Sequence, residues 1–381
     1  MRVAIFGGTG FMGYDFVRLL LDEGTHEPVV YCTSPKNLTN LRRHPVAVRF
    51  VPPHLMANEN LDEDIDLIVN FAHPFQQRDQ MTPNQQTDLF VRFLEKARAR
   101  NPKLRMVHIS TLSVYEPFSE DKEYAETDPL DPPGSDLYAT TKLYAEKAIR
   151  GIAGAEEWQV VLRPTIVYGS FCRPWTDGLL KAFAEGDVGY CDLGGMIQPI
   201  TGRDISRFIR RVMDDFKPGV YNMAGQEKVS WKEFFTLFQE VVGEGRLVQV
   251  EPPPPGAVPV QLDGLAFYRF HAKELQRVIV ANRSFNAIAT RMAKPVPRTL
   301  VMKVRRSLGL DKPPAPRRAG AAAAGTDVQL QFTKPFFGED RLVSRAHFED
   351  TFPDFATTPL GQMKETLREY YEYRFTDKIY T

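Results

Sequence analysis

Tyr138 and Lys142 are the side chains of this 381-residue chain best spaced to do chemistry together. They fall inside a helical stretch running to about Arg150, where residues four apart share a face, so the phenol and the ammonium point the same way. Of the fourteen tyrosines, only Tyr138 has a lysine four positions later. A phenol with an ordinary pKa of about 10 is a poor proton carrier at neutral pH and needs help. A neighbouring positive charge supplies it by favouring the phenolate. Upstream, Leu104–Ile109 reads as a strand that ends in Ser110-Thr111-Leu112-Ser113. That puts hydroxyls at the carboxyl edge of a sheet, where ligands bind.

A second cluster opens the chain. Arg2–Phe6 is a short apolar and β-branched run that breaks into Gly7-Gly-Thr-Gly10-Phe-Met-Gly13, and an apolar helical pattern then continues to Leu21. Strand, tight turn and helix follow from that order. Gly7 allows the turn, Gly10 lets a bound group approach the backbone, and Gly13 lets helix and strand pack closely. Free N–H groups at the helix start suit a phosphate, so the implied ligand is a dinucleotide. The second strand, Glu27–Thr33, ends where such folds meet the adenosine ribose, and no acid stands there. Thr33, Ser34 and Lys36, followed by Arg42 and Arg43, suit a ribose 2′-phosphate, which favours NADP over NAD.

The elements that must position these groups alternate along the chain. Val46–Val51 and Asp66–Ala72 read as third and fourth strands, Asn84–Ala99 as an amphipathic crossover helix, and Trp158–Leu162 as a sixth strand after Leu104–Ile109. This is the pattern of an α/β fold, a Rossmann-type doubly wound parallel sheet. Beyond Gly169 the sheet pattern gives way to loop and helix, with Asp204–Phe216 amphipathic, Val220–Asn222 returning to the sheet, and Ser230 capping a helix through Val242.

Composition excludes several classes. Lys plus Arg and Asp plus Glu both count 48, so the balance attracts neither nucleic acid nor an anionic membrane. Cys32, Cys172 and Cys191 form no C-x-x-C, which argues against zinc and disulfides and fits a reducing compartment. The opening apolar run is too short for a signal segment, and no apolar run of about eighteen residues follows. A soluble cytoplasmic protein is expected.

In order and content, these pieces resemble the extended short-chain dehydrogenase/reductase family, which contains nucleotide-sugar epimerases and dehydratases. The matching motifs are Gly7–Gly13, Asn70-Phe-Ala72, Ser110-Thr-Leu-Ser-Val-Tyr115, Tyr138 with Lys142, Arg163-Pro-Thr-Ile-Val-Tyr-Gly169 and Gly219-Val-Tyr-Asn-Met-Ala224, spread over about the first 245 residues. The resemblance implies that Thr111, rather than Ser113, orients the substrate oxygen, that Tyr138 is the acid/base, and that Lys142 also holds the nicotinamide ribose. It further places Gly7, Thr9, Gly10, Phe11, Met12, Gly13, Ala72 and Pro164 at the cofactor, with Tyr138 and Lys142. The implied reaction is hydride transfer at a hydroxyl or ketone carbon of a sugar-like substrate, by an epimerase or a reductase, without a metal. The implied organisation is a cofactor domain over 1–170 with 200–225, a smaller substrate-binding lobe over 171–199 and 226–381, and a homodimer.

Departures narrow the substrate. The third strand ends in Pro52-Pro53-His54 instead of an Asp that touches adenine, Ile166 replaces a common Asn, and no Arg stands near Ile197 to meet a diphosphate. Arg173, Arg203 and Lys181 are candidates to substitute. Leu112 follows Thr111 where 4,6-dehydratases carry an acid, which disfavours dehydration. Residues 262–327 match the family least, and Lys294–Arg318 is strongly basic. It reads as an inserted solvated arm, with peripheral membrane or anion contact as the alternative. Two further readings are a reductase of a non-sugar carbonyl metabolite, and a cofactor-sensing or scaffold protein without chemistry.

Overall fold

The computed structural model describes residues 1–33, 38, 41–74, 81–119, 121–251, 330–332 and 335–375. All of them fall within one structural unit, Met1–Pro252 joined by Asp327–Thr381. The basic stretch 294–318, the rest of the insertion 262–327 and the two cofactor candidates Ser34 and Lys36 lie outside the described residues.

Seven parallel strands make the central sheet: β1 Arg2–Phe6, β2 Glu27–Cys32, β3 Ala47–Phe50, β4 Leu67–Asn70, β5 Arg105–Ile109, β6 Gln159–Pro164 and β7 Gly219–Met223. Their order is β7-β6-β5-β4-β1-β2-β3, so the chain winds outward from β1 in one direction and then, from β4, in the other. The reversal between β1 and β4 leaves a crevice at the carboxyl ends of these strands. The interior strands β1, β4 and β6 are buried almost throughout, which is why each centres on an apolar run, Val3–Phe6, Leu67–Val69 and Val160–Leu162, rather than an alternating pattern.

Crossover helices cover both faces. α1 (Phe11–Glu23) and α5 (Gly202–Asp214) pack on one face, where Phe16, Leu20, Phe208 and Ile209 meet Val3, Ile5, Val69 and Leu162. α2 (Pro83–Arg100) and α3 (Leu137–Arg150) cover the other, with Phe93, Leu94 and Ile149 against Ala4, Phe6, Ile68 and Met106. α1 runs two residues past its expected end, because Gly24 at φ 67° caps it by donating its N–H to Leu20 O at 3.0 Å. The sixth strand starts one residue later than expected, since Trp158 closes a short helix, Ala155–Trp158.

A separate apolar cluster joins α4 (Gly178–Glu185), α6 (Trp231–Val242) and α8 (Met363–Phe375) through Leu180, Phe183, Phe234, Phe238 and Leu367. Ser230 and Glu233 cap α6 reciprocally, as the sequence signals. α8 begins at Met363, after a 3-10 turn over Leu360–Gln362 that follows Pro359. Between them, Phe348 of α7 (Ala346–Thr351) and the following Phe352 and Phe355 pack tilted or edge to face on Phe208, which ties this part of the chain to the central sheet.

Candidate active site

The glycine turn is built as its sequence implies. Gly7 sits at φ 78°, and a side chain there would place its Cβ 2.7 Å from the Ala72 nitrogen. At Gly13 a Cβ would lie 2.3 Å from the Gly7 carbonyl oxygen, so helix and turn touch with no room for a methyl group. Gly10 donates its N–H to Gly7 O at 2.9 Å and forms the N-terminal boundary of α1. Phe11 turns away from the crevice toward Gly169 and Gly202, whose missing side chains leave space for its ring.

A cavity of about 640 Å³ opens beside this turn. Gly7, Thr9, Thr33 and Ala72 line it, with Tyr31, Val51, Pro53 and Met56 toward β2 and β3, and His73, His108 and Arg173 elsewhere on its wall. Its volume, the side-chain-free Gly7 and the close Gly7–Ala72 contact fit a dinucleotide laid across the sheet edge. Gly10, Phe11, Met12 and Gly13 shape the turn without lining the cavity, and Pro164 is buried at the end of β6, in register with Met223. Pro52-Pro53-His54, which stands in place of the expected acid, starts a 3-10 turn over Pro53–Asn58 and presents Pro53 to the cavity.

The structure brings Thr111 and Tyr138 together. Thr111 follows β5, is 5% exposed, and accepts a hydrogen bond from Ser113 N–H at 3.3 Å. Its side chain acts on the Tyr138 phenol as a hydrogen-bonding neighbour that favours the phenolate. Tyr138 lies in the first turn of α3 and is 39% exposed. Desolvation lifts its pKa above the ordinary value, the Thr111 hydrogen bond pulls it back, and the charges of Asp136 and Glu116 push it further up. That direction is opposite to the one expected from Lys142.

The reason lies in where Lys142 goes. Its Nζ donates to the Ile109 carbonyl at 2.9 Å, and the residue is 5% exposed beneath the sheet edge. Burial brings its pKa down to about 8, with Glu146 acting to raise it. Glu146, one turn further along α3, is fully buried; it accepts from Ser110 Oγ at 2.6 Å and pairs with Arg163 at 2.5 Å. Arg163 also donates to the Tyr115 hydroxyl, which donates to Asn222 at 2.8 Å. The strand that carries Thr111 and the helix that carries Tyr138 are thereby locked together by buried polar contacts.

Two histidines on the cavity wall belong to none of the motifs that the sequence displays. Asn70 accepts from Ala72 N–H at 3.0 Å, which aims its amide nitrogen at His108 Nδ1, 3.1 Å away. His73 Nε2 stands 3.1 Å from Thr141 Oγ1, and its ring meets Tyr138 edge to face at 5.8 Å. Burial, with help from Lys142, drives His108 down to about 3 and His73 to about 2, so both are neutral. The one available signal was a histidine placed directly after the Asn70-Phe-Ala72 motif.

Among the described residues there is no helix long and apolar enough to cross a membrane and no cluster of groups suited to a metal ion.

Over 263 residues the chain is 24% identical to a dTDP-4-dehydrorhamnose reductase of Aggregatibacter actinomycetemcomitans, covering 65% of this chain and 82% of that one. It is 33% identical over 162 residues to the low-salt glycan biosynthesis protein Agl12 of Haloferax volcanii, covering 39% and 51% of the two chains. Among solved structures it shares its fold with the Bordetella bronchiseptica enzyme WbmH in complex with NAD+, at a TM-score of 0.61 and 17% identity, covering 98% of this chain and 99% of that one. Residues 3–189 match the model of the NAD dependent epimerase/dehydratase family, and this segment carries the opening glycine turn and six of the seven strands of the parallel sheet.

Proposed function

We propose that this protein is a nicotinamide-dependent reductase or epimerase acting at a hydroxyl or ketone carbon of a sugar-like substrate, in the first place a nucleotide sugar. The observation that carries the reading is that Tyr138, acted on by the Thr111 side chain, meets edge to face the His73 ring on the wall of the cavity lined by Gly7, Thr9 and Ala72, while Lys142 is fixed on Ile109 O. The similarity to a dTDP-4-dehydrorhamnose reductase supports the substrate class. In this reading residues 1–170 with 200–225 hold the cofactor, and 171–199 with the described parts of 226–381 face the substrate. A homodimer in the cytoplasm is the expected setting.

When bound, the cofactor supplies hydride exchange with the carbon that bears the reacting oxygen. Tyr138 handles the proton. In the reductive direction its O–H bond breaks as the substrate oxygen gains the proton, and in the oxidative direction the phenolate takes it back. Desolvation, with a smaller push from Asp136 and Glu116, keeps the phenol protonated before ligands arrive, which suits proton donation to a carbonyl. Thr111 already accepts from Ser113 N–H, so its own proton is available to the phenol or to the substrate oxygen. Lys142, held at Ile109 O, stands ready to exchange that carbonyl for a ribose hydroxyl. Leu112, buried next to Thr111, offers no acid for eliminating water, so dehydration is not part of the proposal.

Thr33 on the cavity wall, with Lys36, Arg42 and Arg43, favours NADP over NAD. Replacing Lys36 and Arg42 by Ala is expected to weaken NADP about tenfold while leaving NAD nearly unchanged. Equal losses would remove the preference. The reaction itself is tested by following nicotinamide absorbance while the purified protein meets 4-keto and 4-hydroxy nucleotide sugars. Net consumption of NADPH with a ketone identifies a reductase, and conversion without net consumption identifies an epimerase. No conversion across both substrate classes with either cofactor would contradict the proposal.

A further inference from the structure

Tyr138 stands at the start of α3 and is 39% exposed as a residue. The Thr111 side chain acts on its oxygen. The ring must be held if the proton is to be delivered along one line, because misplacement by about 1 Å costs on the order of a hundredfold in rate. His73 is placed to hold it. Its ring lies 5.8 Å from that of Tyr138 at an interplanar angle of 87°, the edge-to-face arrangement that aromatic rings favour.

The imidazole is itself anchored to the helix it braces. Thr141 Oγ1 lies 2.6 Å from the Leu137 carbonyl oxygen and 3.2 Å from that of Tyr138. Two oxygens at 2.6 Å must share a proton, so the Thr141 hydroxyl donates to the backbone and has only acceptor capacity left for its third neighbour. His73 Nε2, at 3.1 Å, must therefore carry the hydrogen and donate it. The tautomer is set by geometry, and the desolvated ring stays neutral. Thr141 stands three positions after Tyr138 on α3, so the imidazole is bonded to the helical turn that carries the phenol.

We infer that His73 is a positioning residue: fixed by its Nε2–H bond to Thr141, it holds the Tyr138 ring edge to face so that the phenol stays in line with Thr111. The inference rests on the acid/base assignment of Tyr138 and goes beyond it by naming what aims that group.

The test is a double-mutant cycle on turnover, with cofactor affinity read separately. His73→Ala is expected to lower kcat about tenfold to a hundredfold, with substrate KM and cofactor Kd within about threefold. His73→Phe, which keeps a ring against Tyr138 without the Thr141 bond, is expected to recover part of that loss, and Thr141→Val to cause a smaller loss. In a Tyr138→Phe background, His73→Ala should cost nothing further, because the histidine acts only through the phenol. A full additional loss in that background, or an effect confined to cofactor Kd, would overturn the inference, as would an unchanged kcat in His73→Ala. Should His73→Ala fail to fold, the same cycle run with His73→Phe and Thr141→Val decides between these outcomes. Full turnover in Tyr138→Phe alone would instead sink the parent assignment, so the two failures are distinguishable.

Discussion

The two ends of α3 are built on opposite terms. Its first turn is open: Leu137 is 75% exposed, Tyr138 is 39% exposed, and two carboxylates bear on the phenol. Its second and third turns are sealed, with Lys142 5% exposed on Ile109 O and Glu146 fully buried between Ser110 and Arg163. One helix thus presents the group proposed to exchange protons with a substrate and, a turn away, a set of groups that cannot move without breaking buried bonds. The difference teaches that precision at the open end is borrowed from the closed one. Thr111 and Tyr138 come from different elements, and the Ser110–Glu146–Arg163 contacts are what hold those elements in register.

The sharpest way to break the contrast is at Glu146. Glu146→Ala leaves the Arg163 guanidinium, itself 1% exposed, as an unpaired buried charge. Removing one partner of such a pair typically costs about 3–5 kcal/mol, which urea unfolding would show directly. A loss under about 1 kcal/mol would mean that the sealed end contributes little to stability. Tyr138→Phe, by contrast, should leave the urea midpoint nearly in place.

Acid offers a second, smaller lever. His108 and His73 have folded-state pKa values of about 3 and about 2, below their ordinary value, so the unfolded chain takes up protons first as the pH falls. Their contribution to stability is fully present above about pH 6.5 and is lost as the pH falls toward 3, at about 1.4 kcal/mol per pH unit for each histidine. Urea midpoints measured at stepped pH should fall along this slope, and His108→Gln should remove its share. A midpoint that stays flat from about pH 6.5 to about pH 5 would show that these rings protonate freely in the folded protein.

Much of the scaffold was legible in the sequence because parallel strands buried on both faces are largely apolar, as Leu67–Val69 is, and because Gly7 and Gly13 occupy places where no Cβ fits. The Tyr138–Lys142 spacing was legible for a similar reason, since helical periodicity fixes which side chains share a face. What Lys142 bonds to was not. Its partner is a strand carbonyl more than thirty residues away in sequence, and only the fold brings the two together. The upward shift of Tyr138 was hidden in the same way, because the burial that desolvates the phenol, and the smaller push of Glu116 from another element, exist only in the fold. His73 carried a signal only in hindsight: a histidine after an apolar strand reads as a core residue until the ring it faces is known.

The central claim is that Tyr138 carries the proton while the rest of the site holds cofactor and substrate. It is tested most directly by measuring turnover and cofactor dissociation constant side by side in the wild type and in Tyr138→Phe. Turnover lower by about a hundredfold to ten-thousandfold, with the dissociation constant within about twofold, is the expected result. Normal turnover in the variant, or a loss explained wholly by weaker cofactor binding, would contradict the account.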